Sequence, residues 1–178
     1  HSVYTYGWVD NVLVYYSPSS FSSIKKTVRT FDTESIPDSA QITSGELFIK
    51  ADNTQISHPN SPDNFIALVS LTLENPPIIN YNDYDQFSPT ELANRYIDYS
   101  DTTVNFQLND IGLAHINKNG WTTLGLRSGY DMSSNPPNNG QTTSLLVNFY
   151  SGNNFARPIL TVNYMNIPFP PPETCPAD

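Results

Sequence analysis

The sequence predicts an all-β protein: an antiparallel β-sandwich or jelly roll of about eight to nine strands, with two short helices in its loops. Apolar and polar residues alternate with a period of two in several runs, most clearly at Val104, Phe106 and Leu108. Clusters of Pro, Asn, Gly and Ser separate these runs, as is usual between the strands of sandwiches. Polarity is carried by 20 Asn, 19 Ser and 16 Thr, whereas only 14% of the residues are charged. That composition is unlike a protein built from long helices.

The length and charge of the chain narrow its class of function. Its 178 residues are enough for one sizeable core. The 8 basic residues stand against 17 acidic ones, which gives a net charge of −9. Nucleic-acid binding is therefore not expected, because phosphate contacts need clustered Lys and Arg. No membrane span is expected either, because no run approaches the ~20 apolar residues that a spanning helix needs.

The two ends of the chain suggest a secreted protein. The sequence begins with His1 rather than Met, which we interpret as a mature chain after removal of a signal peptide, or as a fragment excised from a larger protein. The single cysteine, Cys175, excludes a disulfide within the chain and leaves an intermolecular bond open. The composition, rather than any address signal, predicts a location outside the cell or at its surface.

Extended segments are predicted along most of the chain. The run FIALVSLTL at 65–73 is apolar on both faces, which is typical of a strand covered on both sides. The other segments have one apolar face or a β-rich composition. The predicted strands are one or two within 3–16, followed by 26–31, 42–50, 65–73, 104–108, 121–127, 144–150 and 158–164.

Two short helices are predicted between the strands. Ser88 followed by Pro89 and Glu91 has the spacing of a capping box, which predicts a helix over 91–96. Asn109 is a candidate N-cap for a second helix over 110–117. Gly120 is the expected stop after that second helix.

We divide the chain into an N-terminal strand segment 1–16, a sandwich domain 17–166 and a proline-rich extended tail 167–178. The stretch 2–9 is β-forming and carries no charge, so it lacks the usual protection of an edge strand against pairing with another chain. We predict that it adds to the sheet edge of a neighbouring subunit, a head-to-tail contact that propagates a fibre. The alternative is that 3–9 forms the first strand of its own sandwich. The predicted subunit contacts are Val3, Tyr4, Thr5, Tyr6, Trp8 and Val9.

The tail is the second predicted subunit contact. Proline fixes φ and has no N–H, so 167–172 should be extended polyproline II and cannot enter a sheet interior. Such a segment lies either in solvent or on another surface. The contact residues predicted here are Pro168, Phe169 and Pro170.

Three blocks of residues, from Thr27 onward, resemble the DNRLRE-type extracellular β-sandwich modules, a family similar to carbohydrate-binding modules. The blocks are 31–33, 36–44 and 46–49; 106–109, 112–113, 116–118, 120–122 and 124–127; and 147–151 and 157–164. The sequence that names the family is absent, and Gly45 stands where the family commonly has Ala. The resemblance implies a jelly roll with a surface role, as an adhesin repeat, a glycan binder, or a surface-layer or filament component. Independently of it, Asp32 is placed to accept from the amides of Glu34 or Ser35 in an Asx turn.

Five tyrosines are candidate glycan-binding residues because they lie in polar sequence contexts. A ring face can stack on sugar C–H groups while nearby Asn and Asp side chains meet the hydroxyls. The same residues equally suit packing or a protein–protein interface, where Tyr is enriched. They are Tyr81, Tyr84, Tyr96, Tyr99 and Tyr130.

Cofactors are not expected, with calcium as the open alternative. Two Asn/Asp-rich loops offer oxygen ligands of the kind Ca²⁺ prefers, although neither matches an EF-hand; polar loops with Asx turns explain the same residues. The candidate ligands are Asn82, Asp83, Asp85, Asp98 and Asp101. A copper site at His1, with His58 or His115 as its second ligand, is an enzymatic alternative. The acidic pairs of these loops could also serve a glycosidase, although turn-forming acids explain them better, and no nucleophile motif is present.

The sequence therefore predicts a non-catalytic structural subunit of an extracellular filament or surface assembly, which polymerises by N-terminal strand addition. Its partners would be copies of itself. The alternative is a carbohydrate-binding or adhesion module from a larger secreted protein, with glycans as partners.

Overall fold

The computed structural model describes residues 2–4, 11–17, 20–56, 60–134, 143–149 and 157–166. This part of the chain forms antiparallel strands in two sheets, with only short helices between them, which confirms the predicted all-β sandwich. The strands are β1 (Ser2–Tyr4), β2 (Asn11–Ser17), β3 (Ser20–Lys25), β4 (Thr27–Asp32), β5 (Ala40–Ile56), β6 (Phe65–Leu71), β7 (Phe87–Tyr96), β8 (Thr103–Gln107), β9 (Trp121–Ser128), β10 (Thr143–Phe149) and β11 (Ile159–Asn166). The helices are a 3₁₀-helix (Tyr81–Gln86), α1 (Asp110–His115) and α2 (Gly129–Met132).

The larger sheet has seven strands, in the order β1-β11-β5-β10-β2-β3 with β8 also paired to β5. The 17-residue strand β5 is its centre: β11 pairs with 40–48, β10 with 51–56 and β8 with 46–50. β1 and β2 pair in turn with β11 and β10. The segment 1–16 thus contributes two strands to this sheet.

The smaller sheet has four strands, in the order β4-β9-β6-β7. Its strand β6 lies between β9 and β7 and is buried on both faces, as the apolar run at 65–73 predicts. The inner faces of both sheets enclose one apolar core. The largest fully buried apolar side chains are Phe31, Ile36, Leu47, Ile49, Ile66, Leu68, Leu92, Ile97, Phe106, Leu124 and Leu126.

A second, small apolar cluster covers the outer face of the smaller sheet. Val28, Leu71 and Leu73 are buried there, with Ile79 and Phe87 packed against them. The connection between β6 and β7, which contains the 3₁₀-helix, supplies this cover. Both faces of the smaller sheet are therefore shielded from water near its centre.

The corner after β4 is built as the sequence predicts. The amide of Glu34 donates to Asp32 Oδ1 at 3.1 Å, which is the expected Asx turn. The Thr33 hydroxyl is buried, 2.8 Å from both the Gly120 carbonyl oxygen and Thr122 Oγ1. These bonds tie the end of β4 to the start of β9.

The predicted helix over 91–96 is wrong, because this segment belongs to strand β7. Ser88 Oγ accepts from the amide of Thr90 at 3.0 Å, so it makes a local turn instead of capping a helix. Register shifts against β6 mark bulges in this strand, and one of them allows Leu92 and Ala93 to be buried consecutively. Pro89 is tolerated because β7 is an edge of the sheet in the described part of the chain.

The second predicted helix is confirmed as α1, although it is shorter than expected. Asn109 is its N-cap and accepts from the amide of Gly112 at 2.9 Å. The helix ends at His115, so Gly120 does not terminate it. Gly120, with φ at 151°, instead lies directly before the first residue of β9. β3, β7 and α2 were not predicted. No helix in the described ranges has the length and apolar character needed to cross a membrane.

Candidate functional site

The first candidate site is the edge of β11, where the N-terminal strand lies. β1 pairs with β11 of its own chain, with Ser2 opposite Thr161, Val3 opposite Leu160 and Tyr4 opposite Ile159. These three residues therefore have the arrangement of the predicted alternative, in which the N-terminal segment forms a strand of its own sandwich. Thr5, Tyr6, Trp8 and Val9, predicted as further contacts, lie outside the described residues, as do Pro168, Phe169 and Pro170.

The strand register aligns β1 with residues of the larger sheet that belong to the core. Val3 is opposite Leu160, Leu160 is opposite Leu47, and Leu47 is opposite Phe106, so the four positions form one row across the larger sheet. Leu160, Leu47 and Phe106 are all fully buried in the core. β1 therefore pairs with the edge of β11 in line with three buried residues.

The second candidate site is the end of the sandwich around α2. Tyr96, at the end of β7, donates through its hydroxyl to the carbonyl oxygen of Ser61 at 3.2 Å, and the residue is 43% exposed. Tyr130, on α2, is buried, with its hydroxyl 3.4 Å from Asn64 Oδ1. Burial raises the pKa of Tyr130 above its ordinary value. Tyr130 thus supports the loop that carries Ser61 and presents no open ring face.

Tyr84, on the 3₁₀-helix, is 45% exposed and has a charged neighbour on its ring. Lys26 Nζ lies 4.4 Å from the ring centroid, within cation–π distance. The same ammonium lies 4.0 Å from Asp131, whose carboxylate also pairs with Arg127 Nε at 2.6 Å. Partial burial, and then the charges of Asp131 and Asp85, raise the pKa of Tyr84 above its ordinary value.

The five predicted glycan-binding tyrosines thus have different environments. Tyr99, in the turn between β7 and β8, is 71% exposed, so Tyr84, Tyr96 and Tyr99 present rings to solvent whereas Tyr130 does not. The side chain of Tyr81 lies outside the described part of the structure. Lys26, Arg127 and Asp131 were not singled out from the sequence. No local pattern indicates the contact between Arg127 and Asp131, because Arg127 lies on β9 and Asp131 on α2.

The predicted calcium ligands serve the backbone of their own loops. Asp83 is buried, and its carboxylate accepts from the amide of Asn80 at 2.6 Å, at the start of the 3₁₀-helix. Asp101 accepts from the amide of Asp98 at 2.8 Å and lies 3.6 Å from Arg95. The described residues contain no group of three or more His, Cys, Asp or Glu that could hold a metal. Asp85 is exposed, and the side chain of Asn82 is not described.

The carboxylate of Asp98 has a lowered pKa, first because the amide of Ser100 donates to it and then because the Ser100 hydroxyl does, both at 3.0 Å. We expect Ser100→Ala to raise this pKa part of the way toward its ordinary value, since the amide bond remains. Because the folded pKa is lowered, the turn is stabilised above the ordinary Asp pKa, and this contribution is lost as pH falls through the lowered value. NMR titration of the Asp98 carboxyl carbon measures the change.

The control for this titration is Ser133→Ala, which alters an exposed serine in another loop. It should leave the Asp98 titration unchanged. An identical Asp98 pKa in Ser100→Ala and in the unmodified protein would show that the hydrogen bond from the Ser100 hydroxyl does not lower this pKa.

The copper alternative gains no second ligand from the described residues. His115 Nε2 lies 2.8 Å from the carbonyl oxygen of Thr123, so this ring ties α1 to β9. His1 and His58 lie outside the described ranges. Comparison of the sequence with protein-family models and with curated proteins finds no match. The resemblance to the DNRLRE-type modules therefore stays a prediction.

Proposed function

We propose that the protein is a non-catalytic structural subunit of an extracellular filament or surface assembly, in which β1 of one subunit pairs with β11 of the next. One observation carries the proposal: the first described residues, Ser2–Tyr4, form a three-residue strand at the outer edge of β11. A short strand at the edge of a sheet can leave that sheet and occupy the equivalent edge of a second copy. The small share of charged residues, 14%, and the many Asn, Ser and Thr residues fit an extracellular setting.

Strand exchange needs no new interface chemistry. The backbone pairing of β1 with β11 is the same whether the strand comes from the same chain or from a neighbour. The closed monomer and the linked assembly therefore differ mainly in the connection between β1 and β2 and in subunit concentration. When each subunit gives its strand to the next subunit and receives one from a different subunit, the exchange is head-to-tail and builds a fibre.

Disulfide trapping tests which chain supplies the strand. Directly opposite residues in antiparallel strands have Cα atoms about 4.5–5.5 Å apart, within the range that a disulfide spans. In a Cys175→Ser background, one variant carries Ser2→Cys and another Thr161→Cys, the two positions being opposite each other. After the two are mixed and oxidised, we expect covalent dimers, because position 2 of one chain lies on position 161 of another. A chain with both substitutions should give a ladder of multimers.

The matched control replaces Thr161→Cys by Asn166→Cys, an exposed position on the same strand that is out of register with Ser2. It should give few cross-links. If the mixed single variants stay monomeric while the double variant closes only within its own chain, strand exchange is excluded.

The second candidate function is glycan binding, which the exposed rings of Tyr84, Tyr96 and Tyr99 favour. The polar groups beside them include the Arg95–Asp101 pair and the Lys26–Asp131 pair. We expect Tyr99→Ala to weaken binding to a recognised oligosaccharide about tenfold, equivalent to ~1.4 kcal/mol, whereas Tyr99→Phe keeps the stacking ring. Calorimetric titration against a panel of soluble oligosaccharides measures this. Equal affinity of Tyr99→Ala and the unmodified protein for every bound sugar would remove Tyr99 from the site.

A further inference from the structure

The turn between α1 and β9 contains an Asn-Gly pair, Asn119 followed by Gly120. Asn119 is exposed, and its backbone amide donates to Asn117 Oδ1 at 3.0 Å. Within the described ranges the side-chain carboxamide of Asn119 makes no hydrogen bond. The carboxamide is therefore open to attack by a neighbouring nucleophile.

The backbone requires glycine at position 120. Its φ of 151° lies in a region that residues with a side chain rarely adopt. Glycine has no Cβ, so nothing shields its own amide nitrogen. In the part of the chain that the structure describes, this amide donates no hydrogen bond. An unbonded carboxamide is thus followed directly by an unshielded backbone nitrogen.

We propose that Asn119 is a site of spontaneous deamidation. The Gly120 nitrogen loses its proton to base and attacks Cγ of Asn119, which closes a five-membered succinimide ring. The carboxamide nitrogen takes up a proton and leaves as ammonia. Water then opens the ring, to aspartate if it attacks Cγ and to isoaspartate if it attacks the backbone carbonyl carbon. The net reaction consumes a water molecule and releases ammonia, without any cofactor.

Isoaspartate changes the backbone next to the corner after β4, because the chain then continues through the side chain and gains a methylene group. The Gly120 carbonyl oxygen accepts from the amide of Thr33 at 2.9 Å and from its hydroxyl at 2.8 Å. A longer backbone displaces this carbonyl group. We therefore expect the isoaspartate form to have a weaker connection between the end of β4 and the start of β9, whether or not the subunits exchange strands.

Peptide mapping by mass spectrometry tests the site in the full, folded chain, incubated in mildly alkaline water labelled with heavy oxygen. Position 119 should lose ammonia and gain labelled oxygen. We expect a rate within about tenfold of that in urea-unfolded protein, whereas a site exposed only by unfolding would react at least roughly a thousandfold more slowly. The slower rate, or no reaction at position 119, would overturn the proposal.

Asn117 is the internal control, because it is exposed in the same turn but is followed by Lys118. Its carboxamide accepts from the Asn119 amide and donates to the carbonyl oxygen of Trp121 at 3.4 Å. It should stay unmodified, and equal labelling of both positions would show that Gly120 does not direct the reaction. Asn119→Gln should also prevent labelling at position 119, because glutamine must close a less favourable six-membered ring; labelling at the unmodified rate would contradict the proposal.

Hydrogen exchange measures the effect on the corner after β4. In the isoaspartate form, separated by chromatography, we expect the amide of Thr33 to exchange about tenfold faster, as the loss of a hydrogen bond predicts. The amide of Phe106 on β8 is the reference and should keep its rate. An unchanged rate at Thr33 would overturn the expected weakening of this corner.

Discussion

Replacing Phe106 with alanine is expected to lower the free energy of unfolding by about 3–5 kcal/mol. Phe106 lies on β8, is fully buried, and is directly opposite Leu47 of the central strand β5. Truncation removes apolar area from the core. It also leaves a cavity between the two sheets, because strand pairing limits how far their backbones can move to fill it. Urea denaturation followed by circular dichroism measures the loss, with an unchanged m-value showing that the unfolding reaction is the same.

The matched control is Asn105→Ala, the neighbouring residue on the same strand. Asn105 is exposed because successive side chains of a strand point to opposite faces. Its replacement should change the free energy of unfolding by less than about 0.5 kcal/mol. Equal losses at the two positions would mean that β8 does not contribute a core face.

The Phe106 variant also separates stability from assembly. Phe106 and Val3 stand at opposite ends of the row that runs through Leu47 and Leu160. Loss of Phe106 therefore weakens the fold without touching the pairing of β1 with β11. Under strand exchange, the disulfide experiment should still give intermolecular products in this variant at temperatures where it remains folded.

Local patterns account for most of what the sequence predicts correctly about the fold. β8 follows from the alternation of its side chains, which the pleat of a half-buried strand imposes, whereas β6 follows from a continuous apolar run, because this strand is covered on both faces. β7 could not be predicted this way, because Ser88, Pro89 and Glu91 carry a local helix signal that pairing with β6 overrides. Arg29 is a second limit: it is buried on β4, although sequence patterns place Arg at the surface.

The candidate sites follow only in part from the sequence. Polar context correctly indicates exposure for Tyr84, Tyr96 and Tyr99, yet the same reasoning fails at Tyr130, because α2 turns that ring inward. The contact between Lys26 and Asp131 joins residues far apart in the chain and depends on how β4, β9 and α2 meet. Such contacts are set by tertiary packing, which a single sequence does not encode locally.

Gly129→Ala is expected to destabilise the protein by about 3 kcal/mol, near the upper end of the usual range for overpacking. A Cβ at this position would lie 2.4 Å from the carbonyl oxygen of Asp63 and 2.5 Å from the Phe65 ring. The carbonyl belongs to the backbone, so it cannot rotate away as a side-chain end could. α2 must shift instead, and Tyr130 and Asp131 would move with it.

Gly45→Ala is the matched substitution that distinguishes lack of space from the loss of glycine as such. There a Cβ would approach the end of the Leu108 side chain at 2.7 Å, and that methyl group can move. We expect a change of less than about 1 kcal/mol, because alanine also costs a strand less conformational entropy than glycine. Thermal unfolding of the two variants side by side tests the contrast. Equal losses would show that the close approach of the added Cβ to the Asp63 carbonyl oxygen does not set the cost of Gly129→Ala.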